Sequence, residues 1–341
     1  MKLRERISSG LEGMYQGLSN GFTRVNKYLF GIQRAAYYLI GGGSGVGKTT
    51  LVDYMVLEAI EDAAAKNIKL DIFYYSYEID ELTKKCNWLS VIIYKKYGRI
   101  IAPEKIKGLG DNRLDKDEQE IVDSEIDYIE DLFEKIHFRF VPTNPTGIYN
   151  ELWKHGEANG EFIYETYVEG GVPLKKIVGY KPNDPHSYTI VVLDHLYHLK
   201  KQEGLSGKEV IDKYSSYCVS LRNMFKFTFI NIQQFNRNLS SVERQKFKGV
   251  DISPQESDFK ETSNTYSDSD VVIGLMNPYK LDLEDCLGYN ISRFKEKFIM
   301  FKIIKNRLSK DNIAVGLYAN FNAGSFTELP RPEEIDYSKL Q

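Results

Sequence analysis

The stretch IGGGSGVGKTTL at residues 40–51 fits the spacing GxxxxGK followed by Ser or Thr, with Gly42, Gly47, Lys48 and Thr49 at the defining positions. Glycines let successive backbone N–H groups converge on an anion, and a helix starting at the end of the loop adds its partial positive charge. Lys48 is then a point charge for the β and γ phosphates of a nucleotide, and the Thr49 hydroxyl is a ligand for Mg²⁺. The expected nucleotide-binding set is Gly42, Gly43, Ser44, Gly45, Val46, Gly47, Lys48, Thr49 and Thr50. ATP and Mg²⁺ are the cofactors this implies. A chance glycine-rich turn would lack the apolar run before the loop and the helical pattern after it.

Two acidic residues are placed to serve such a loop. Asp194 closes the apolar run YTIVVLD, at the carboxyl end of an expected buried strand, where open α/β sheets hold ligands. A carboxylate there suits water-mediated Mg²⁺ coordination; an Asp that only caps a loop is the bland alternative. Glu78, in FYYSYEID, follows another expected strand and suits a base that orients and deprotonates an attacking water. By itself it would be an ordinary surface Glu. His195 and His198 have no carboxylate partners at ligand spacing and read as structural.

The elements that must position these residues alternate between strand and helix. Apolar runs predict strands at 35–40 (AAYYLI), 70–75 (LDIFYY), 188–193 (YTIVVL), 228–232 (TFINI) and 271–276. Helical patterns predict helices at 49–65, 81–95, 121–136 and 206–224. Segments 298–305 and 313–321 read as a late antiparallel pair joined by a polar turn. The expected fold class is α/β: a mainly parallel sheet with helices on both faces and an antiparallel edge pair. Segment 142–187 interrupts the pattern with a short helix near 149–155 and a β-hairpin at 162–180, its aromatics alternating about Gly170–Gly171.

Composition limits the setting. The 341 residues are 42% hydrophobic, enough for a substantial core. The three cysteines, Cys86, Cys218 and Cys286, show no CxxC spacing, so a reducing cytosol is expected rather than a disulfide framework or zinc site. No apolar run reaches membrane-spanning length, and no membrane partner is expected. Net charge is −3, so nucleic acid would have to be met by local patches. One such patch is the polar loop FNRNLSSVERQKFKGV at 235–250, where Arg237, Arg244, Lys246 and Lys248 fall without apolar period. A solvated surface loop is the equal alternative on residues alone.

In order, GGGSGVGKTT, SYEI, VVLDHL, QQFNR, SDFKETSNTYSDSD and KNR resemble the RecA-fold ATPase domain of DnaB-type replicative helicases, and phage helicases among them. NGFTRVNKYLFGIQ ahead of the loop is similar to that family's TGF–LD–GL segment, so the resemblance covers residues 17–326. It implies Glu78 as general base, Asp194 as metal carboxylate and Gln234 as a γ-phosphate sensor coupled to the DNA loop after it. It further implies that Lys305 and Arg307 reach a neighbouring subunit's nucleotide, Arg307 as the finger. Lys260, Glu261 and Ser263 would line a channel for single-stranded DNA. Lys260 stands where the family has Arg, which keeps the charge and loses the planar fork, and Ser263 stands where it has Gly.

The resemblance implies an ATP-driven hexameric ring moving on single-stranded DNA, in the cytoplasm of a bacterial cell or phage-infected host, with a primase or loader as further partner. A recombination ATPase of the RecA or RadA kind, forming filaments, and a KaiC-like regulatory ATPase are the alternatives. The expected organisation is an N-terminal segment at 1–17 that docks between subunits, an ATPase domain at 18–327 carrying the insertion, and a tail at 328–341. The family's helical N-terminal domain has no counterpart in that organisation.

Overall fold

The structure, a computed structural model, describes residues 3–11, 16–236 and 252–339. Its first strands are β1 (Tyr37–Gly42), β2 (Leu70–Ser76), β3 (His137–Arg139), β4 (Gly160–Glu169), β5 (Val172–Pro182), β6 (Tyr188–Asp194) and β7 (Thr228–Gln234). They are followed by β8 (Val271–Met276), β9 (Asp285–Cys286), β10 (Tyr289–Asn290), β11 (Phe298–Asn306), β12 (Ile313–Asn320) and β13 (Ser325–Glu328). Nine of them form one sheet in the order β13-β12-β11-β8-β1-β7-β6-β2-β3. From β8 to β3 neighbours run parallel, and β11, β12 and β13 alternate antiparallel. The antiparallel edge thus has three strands. SFTE at β13 is too short and polar to read as a strand until β12 supplies its ladder.

The side-chain period of two assigns each strand residue to a face. Tyr38, Ile40, Ile72, Tyr74, Ile190, Val192, Ile230 and Ile232 pack on one side with Trp88, Ile129 and Phe133. Tyr37, Leu39, Phe73, Tyr75, Val191, Leu193 and Phe229 pack on the other with Ile148, Leu152, Tyr214 and Leu221. The first face is covered by helices Lys48–Ala65, Glu81–Tyr97 and Lys116–Lys135, the second by Pro145–Ala158 and Gly207–Phe225. Strands apolar on both faces are what a parallel sheet between helical layers requires.

Helix boundaries follow local chemistry. Asp115 and Glu118 form a reciprocal capping box, so the helix read from its apolar stripe begins one turn earlier than the stripe. Ser206 and Glu209 do the same for Gly207–Phe225. The insertion is the Pro145–Ala158 helix followed by the β4–β5 hairpin. Gly170 (φ 58°) and Gly171 (φ 81°) supply the two positive φ angles its turn needs. Residues 329–339 are held by contacts: Leu329 is buried, and the Tyr337 hydroxyl accepts from the Asn290 N–H at 3.0 Å. Among the described residues, no helix is long and apolar enough to cross a membrane.

Candidate nucleotide and metal site

Strand β1 ends at Gly42 beside Gln234 of β7 and Leu275 of β8. The loop therefore leaves the middle of the sheet at the carboxyl ends of its parallel strands and leads into the Lys48–Ala65 helix. Gly47 caps that helix with φ 85°, and a Cβ there would lie 2.6 Å from the Phe321 ring. Lys48 turns back, its Nζ donating to the Gly43 carbonyl at 2.8 Å. Burial lowers the Lys48 ammonium from its ordinary value while the charges of Glu78 and Asp194 pull it back up.

Asp194 is fully buried at the tip of β6. The Thr49 hydroxyl donates to Asp194 Oδ1 at 3.1 Å, while Asp194 Oδ2 is buried with no hydrogen-bond partner among the described residues. Burial pushes the Asp194 carboxyl up to about 6, with the Lys84 charge opposing the rise. A carboxylate oxygen that is buried and unpartnered, next to a hydroxyl, fits a divalent cation that would satisfy both. No group of three or more His, Cys, Asp or Glu among the described residues is arranged to cage a metal, so phosphate and water oxygens would complete its shell.

Glu78 lies two residues past β2, whose Ser76 pairs with Asp194, and the Tyr77 N–H donates to the Asp194 carbonyl at 2.8 Å. Its side chain is half exposed, with Oε1 3.8 Å from His198 Nε2. Gln234 is exposed at the end of β7, while its neighbour Gln233 is buried and its Oε1 accepts from the Thr265 hydroxyl at 3.3 Å. The fold thus brings together Gly42 to Thr50, Glu78, Asp194 and Gln234 at one end of the sheet.

Lys305 and Arg307 are at the other end. Asn306 pairs with Val271, and the Arg307 N–H donates to the Asp270 carbonyl at 2.8 Å. Both side chains bond the Ser267 carbonyl, each at 2.9 Å, so they emerge side by side. The Tyr37 N–H donates to the Asp270 side chain, so Arg307 borders the start of β1, ~17 Å of strand from the loop at its end. Arg237, Arg244, Lys246 and Lys248 lie outside the described residues. Lys260 and Glu261 fall in a 3₁₀ turn, Glu256–Thr262, and Ser263 opens the short helix Ser263–Asp268. That turn is anchored by the fully buried Phe259, edge-on to Phe235 with ring centres 5.0 Å apart.

Three features of the site went unread in the sequence. Lys280 Nζ donates to the Gly45 carbonyl at 2.8 Å, adding a second ammonium to the loop. Its place just past β8, at a carboxyl end, was the available signal. Phe321 lies against Gly47, and a cleft of about 260 Å³ opens between Ser44, Gln234, Asn277 and Lys280. Lys84 is fully buried, its Nζ 2.9 Å from Asp53 Oδ1 and 3.0 Å from the Tyr74 hydroxyl. A larger cleft of about 370 Å³ at the opposite end, by Arg34 and Tyr188, contains none of the phosphate-loop residues.

No family model matches the sequence, and no curated protein matches it. Solved structures do. One, described as an ATPase domain, superposes with a TM-score of 0.71 at 16% identity, over 96% of this chain and 99% of that one. A DnaB-like replicative helicase, described with its interactions with primase, superposes with a TM-score of 0.70 at 16% identity, over 96% of this chain and 68% of that one. The chain has a RecA-like P-loop fold, shared with these two structures.

Proposed function

We propose that the protein is an ATP-hydrolysing DNA helicase that works as a ring on single-stranded DNA. The observation that carries the reading is the Thr49–Asp194 contact with its orphaned carboxylate oxygen, beside Glu78 and below the Lys48 loop. Thr49 and Asp194 would hold Mg²⁺, which when bound neutralises charge on the β and γ phosphates. Lys48 compensates the same charge, and the loop N–H groups orient the phosphates. Glu78 takes the proton of the attacking water as its oxygen bonds phosphorus and the ADP oxygen leaves. Gln234 joins the phosphate end of β7 to the chain at 235–251, so that γ-phosphate loss can be relayed to a DNA-contacting loop. Arg237, Arg244, Lys246, Lys248, Lys260, Glu261 and Ser263 are the proposed DNA contacts. The ring, and a primase or loader as partner, are supported by the fold likeness and by Lys305 and Arg307 lying far from their own loop.

The test is steady-state hydrolysis with and without oligo-dT. Hydrolysis should need Mg²⁺ and rise with oligo-dT, and Glu78→Gln should keep ATP binding while losing turnover by roughly 10²-fold or more. Parental turnover in Glu78→Gln would remove Glu78 as the base. Electron microscopy with an ATP analogue and oligo-dT separates a closed ring from the filament expected of a recombination ATPase.

A further inference from the structure

Lys280 is an exposed lysine on a rigid footing. It lies in the 3₁₀ turn Tyr279–Leu281 just after β8, and β8 pairs with β1, the strand that leads into the phosphate loop. Asn277, which is buried, builds the turn. Its side-chain oxygen accepts from the Tyr279 N–H at 3.1 Å and the Lys280 N–H at 3.3 Å, and its amide nitrogen donates to the Glu296 carbonyl at 2.8 Å. The Pro278 carbonyl closes the turn by accepting from the Leu281 and Leu283 N–H groups, each at 3.1 Å. The stem of Lys280 therefore starts from a fixed point.

The ammonium at its end pairs with no carboxylate among the described residues. It donates to the Gly45 carbonyl at 2.8 Å, and a Cβ at Gly45 would lie 3.0 Å from it, so it rests on the loop backbone itself. Lys48 Nζ bonds the Gly43 carbonyl, two residues back. Burial lowers the Lys48 ammonium, and the Lys280 charge adds to that. Two ammonium groups on one short loop repel, and an anion seated in the loop relieves the repulsion.

In a planar trans peptide the carbonyl oxygen and the next N–H point in opposite directions. An ammonium fixed on the Gly45 carbonyl thus fixes the Val46 N–H on the side away from Lys280. Loops of this spacing present such N–H groups to the α and β phosphates of a nucleotide. We propose that Lys280 is a positioning residue for the nucleotide, pinning the Gly45–Val46 peptide so that the Val46 N–H meets the β-phosphate. This deepens the nucleotide reading above and rests on it. Lys48 must leave the Gly43 carbonyl to reach a phosphate, whereas Lys280 acts from the outer side of the loop and keeps its bond. ATP and ADP share the β-phosphate, so Lys280 serves both.

The test is equilibrium binding of ATP and ADP with Mg²⁺, beside thermal unfolding of the nucleotide-free protein. Lys280→Met keeps the apolar stem and loses the donor and the charge; the side chain is exposed, so no core contact is lost. It should weaken ATP and ADP alike by roughly ten-fold, the scale of one charge-assisted hydrogen bond, with the nucleotide-free midpoint unchanged. Lys280→Arg keeps donors and charge and should bind as the parent does. Parental affinity in Lys280→Met would make Lys280 a plain surface cation and overturn the proposal. A loss confined to ATP would overturn it by moving the contact to the γ-phosphate. An Arg variant as weak as the Met variant would overturn it too, since neither charge nor donor would then matter. A parent that binds neither nucleotide overturns the nucleotide reading and this role with it, whereas a parent that binds both, with Lys280→Met its equal, overturns the lysine alone.

Discussion

Asp194 and His195 share one strand end, and burial forces both toward the neutral form. The Asp194 carboxyl rises to about 6, chiefly by desolvation, and His195 falls to about 3 for the same reason, with the Lys48 charge adding to it. For the acid, the neutral form is the comfortable one, so its contribution to stability is full below the ordinary carboxylate range and is lost as pH rises through about 6. A cation bound at Asp194 offsets that loss at neutral pH. For the histidine the sign is opposite. Above its ordinary value of 6.5 both folded and unfolded chains hold it neutral; below it only the unfolded chain takes the proton. Stability should therefore fall as pH drops from about 6.5 toward about 3, by about 1.4 kcal/mol per unit from this residue. His195→Gln removes that dependence. Urea unfolding between pH 4 and 7 should give a shallower slope in the variant, and equal slopes would mean the imidazole is not held neutral.

At the scale of elements, the buried Lys84–Asp53 pair ties the phosphate-loop helix to the helix after Glu78. Asp53 lies one turn beyond Thr49, and Tyr74, which also donates to Asp53 at 2.6 Å, sits on β2 one strand from Asp194. Removing one partner strands the other charge without water, which costs about 3–5 kcal/mol, whereas replacing both by apolar groups is near neutral. Lys84→Met and Asp53→Leu should each be strongly destabilising in urea, and the double variant should be far less so than their sum. Additive losses would mean the charges do not depend on each other. This pair also marks where sequence reading stops. The P-loop, the strands and the hairpin were legible because spacing and alternation are local. A lysine within KKCNWL reads as a surface residue, since only the fold discloses that Asp53 and Tyr74 face it. Lys280 and Phe321 were hidden for the same reason, being brought to the loop from more than 200 residues away. His137–Arg139 and Ser325–Glu328 are strands only because a neighbour strand lends each its ladder.

For the molecule as a whole, the question is whether one chain contains a complete catalytic site. Arg307 lies at the opposite end of the sheet from its own phosphate loop. Arg222 holds Asp270 at 2.6 Å, while Arg307 is half exposed, reaching the same carboxylate at 3.4 Å and the Ser267 carbonyl at 2.9 Å. A guanidinium guarding a sheet edge against aggregation is the alternative. Against it, β11 is paired on both sides, with β8 and β12, so it has no open edge to guard. If Arg307 acts in a neighbour's site, monomers should bind ATP yet hydrolyse it poorly, and specific activity should climb with protein concentration. Arg307→Ala should lose on the order of 10³-fold in turnover while keeping nucleotide affinity. Lys48→Ala should lose activity through its own loop. Mixed assemblies of the two variants contain interfaces where an intact Lys48 loop meets an intact Arg307, and those interfaces should restore part of the hydrolysis. Lack of recovery in assemblies verified to contain both chains would assign Arg307 to its own subunit's scaffold and leave the proposed ring without its shared site.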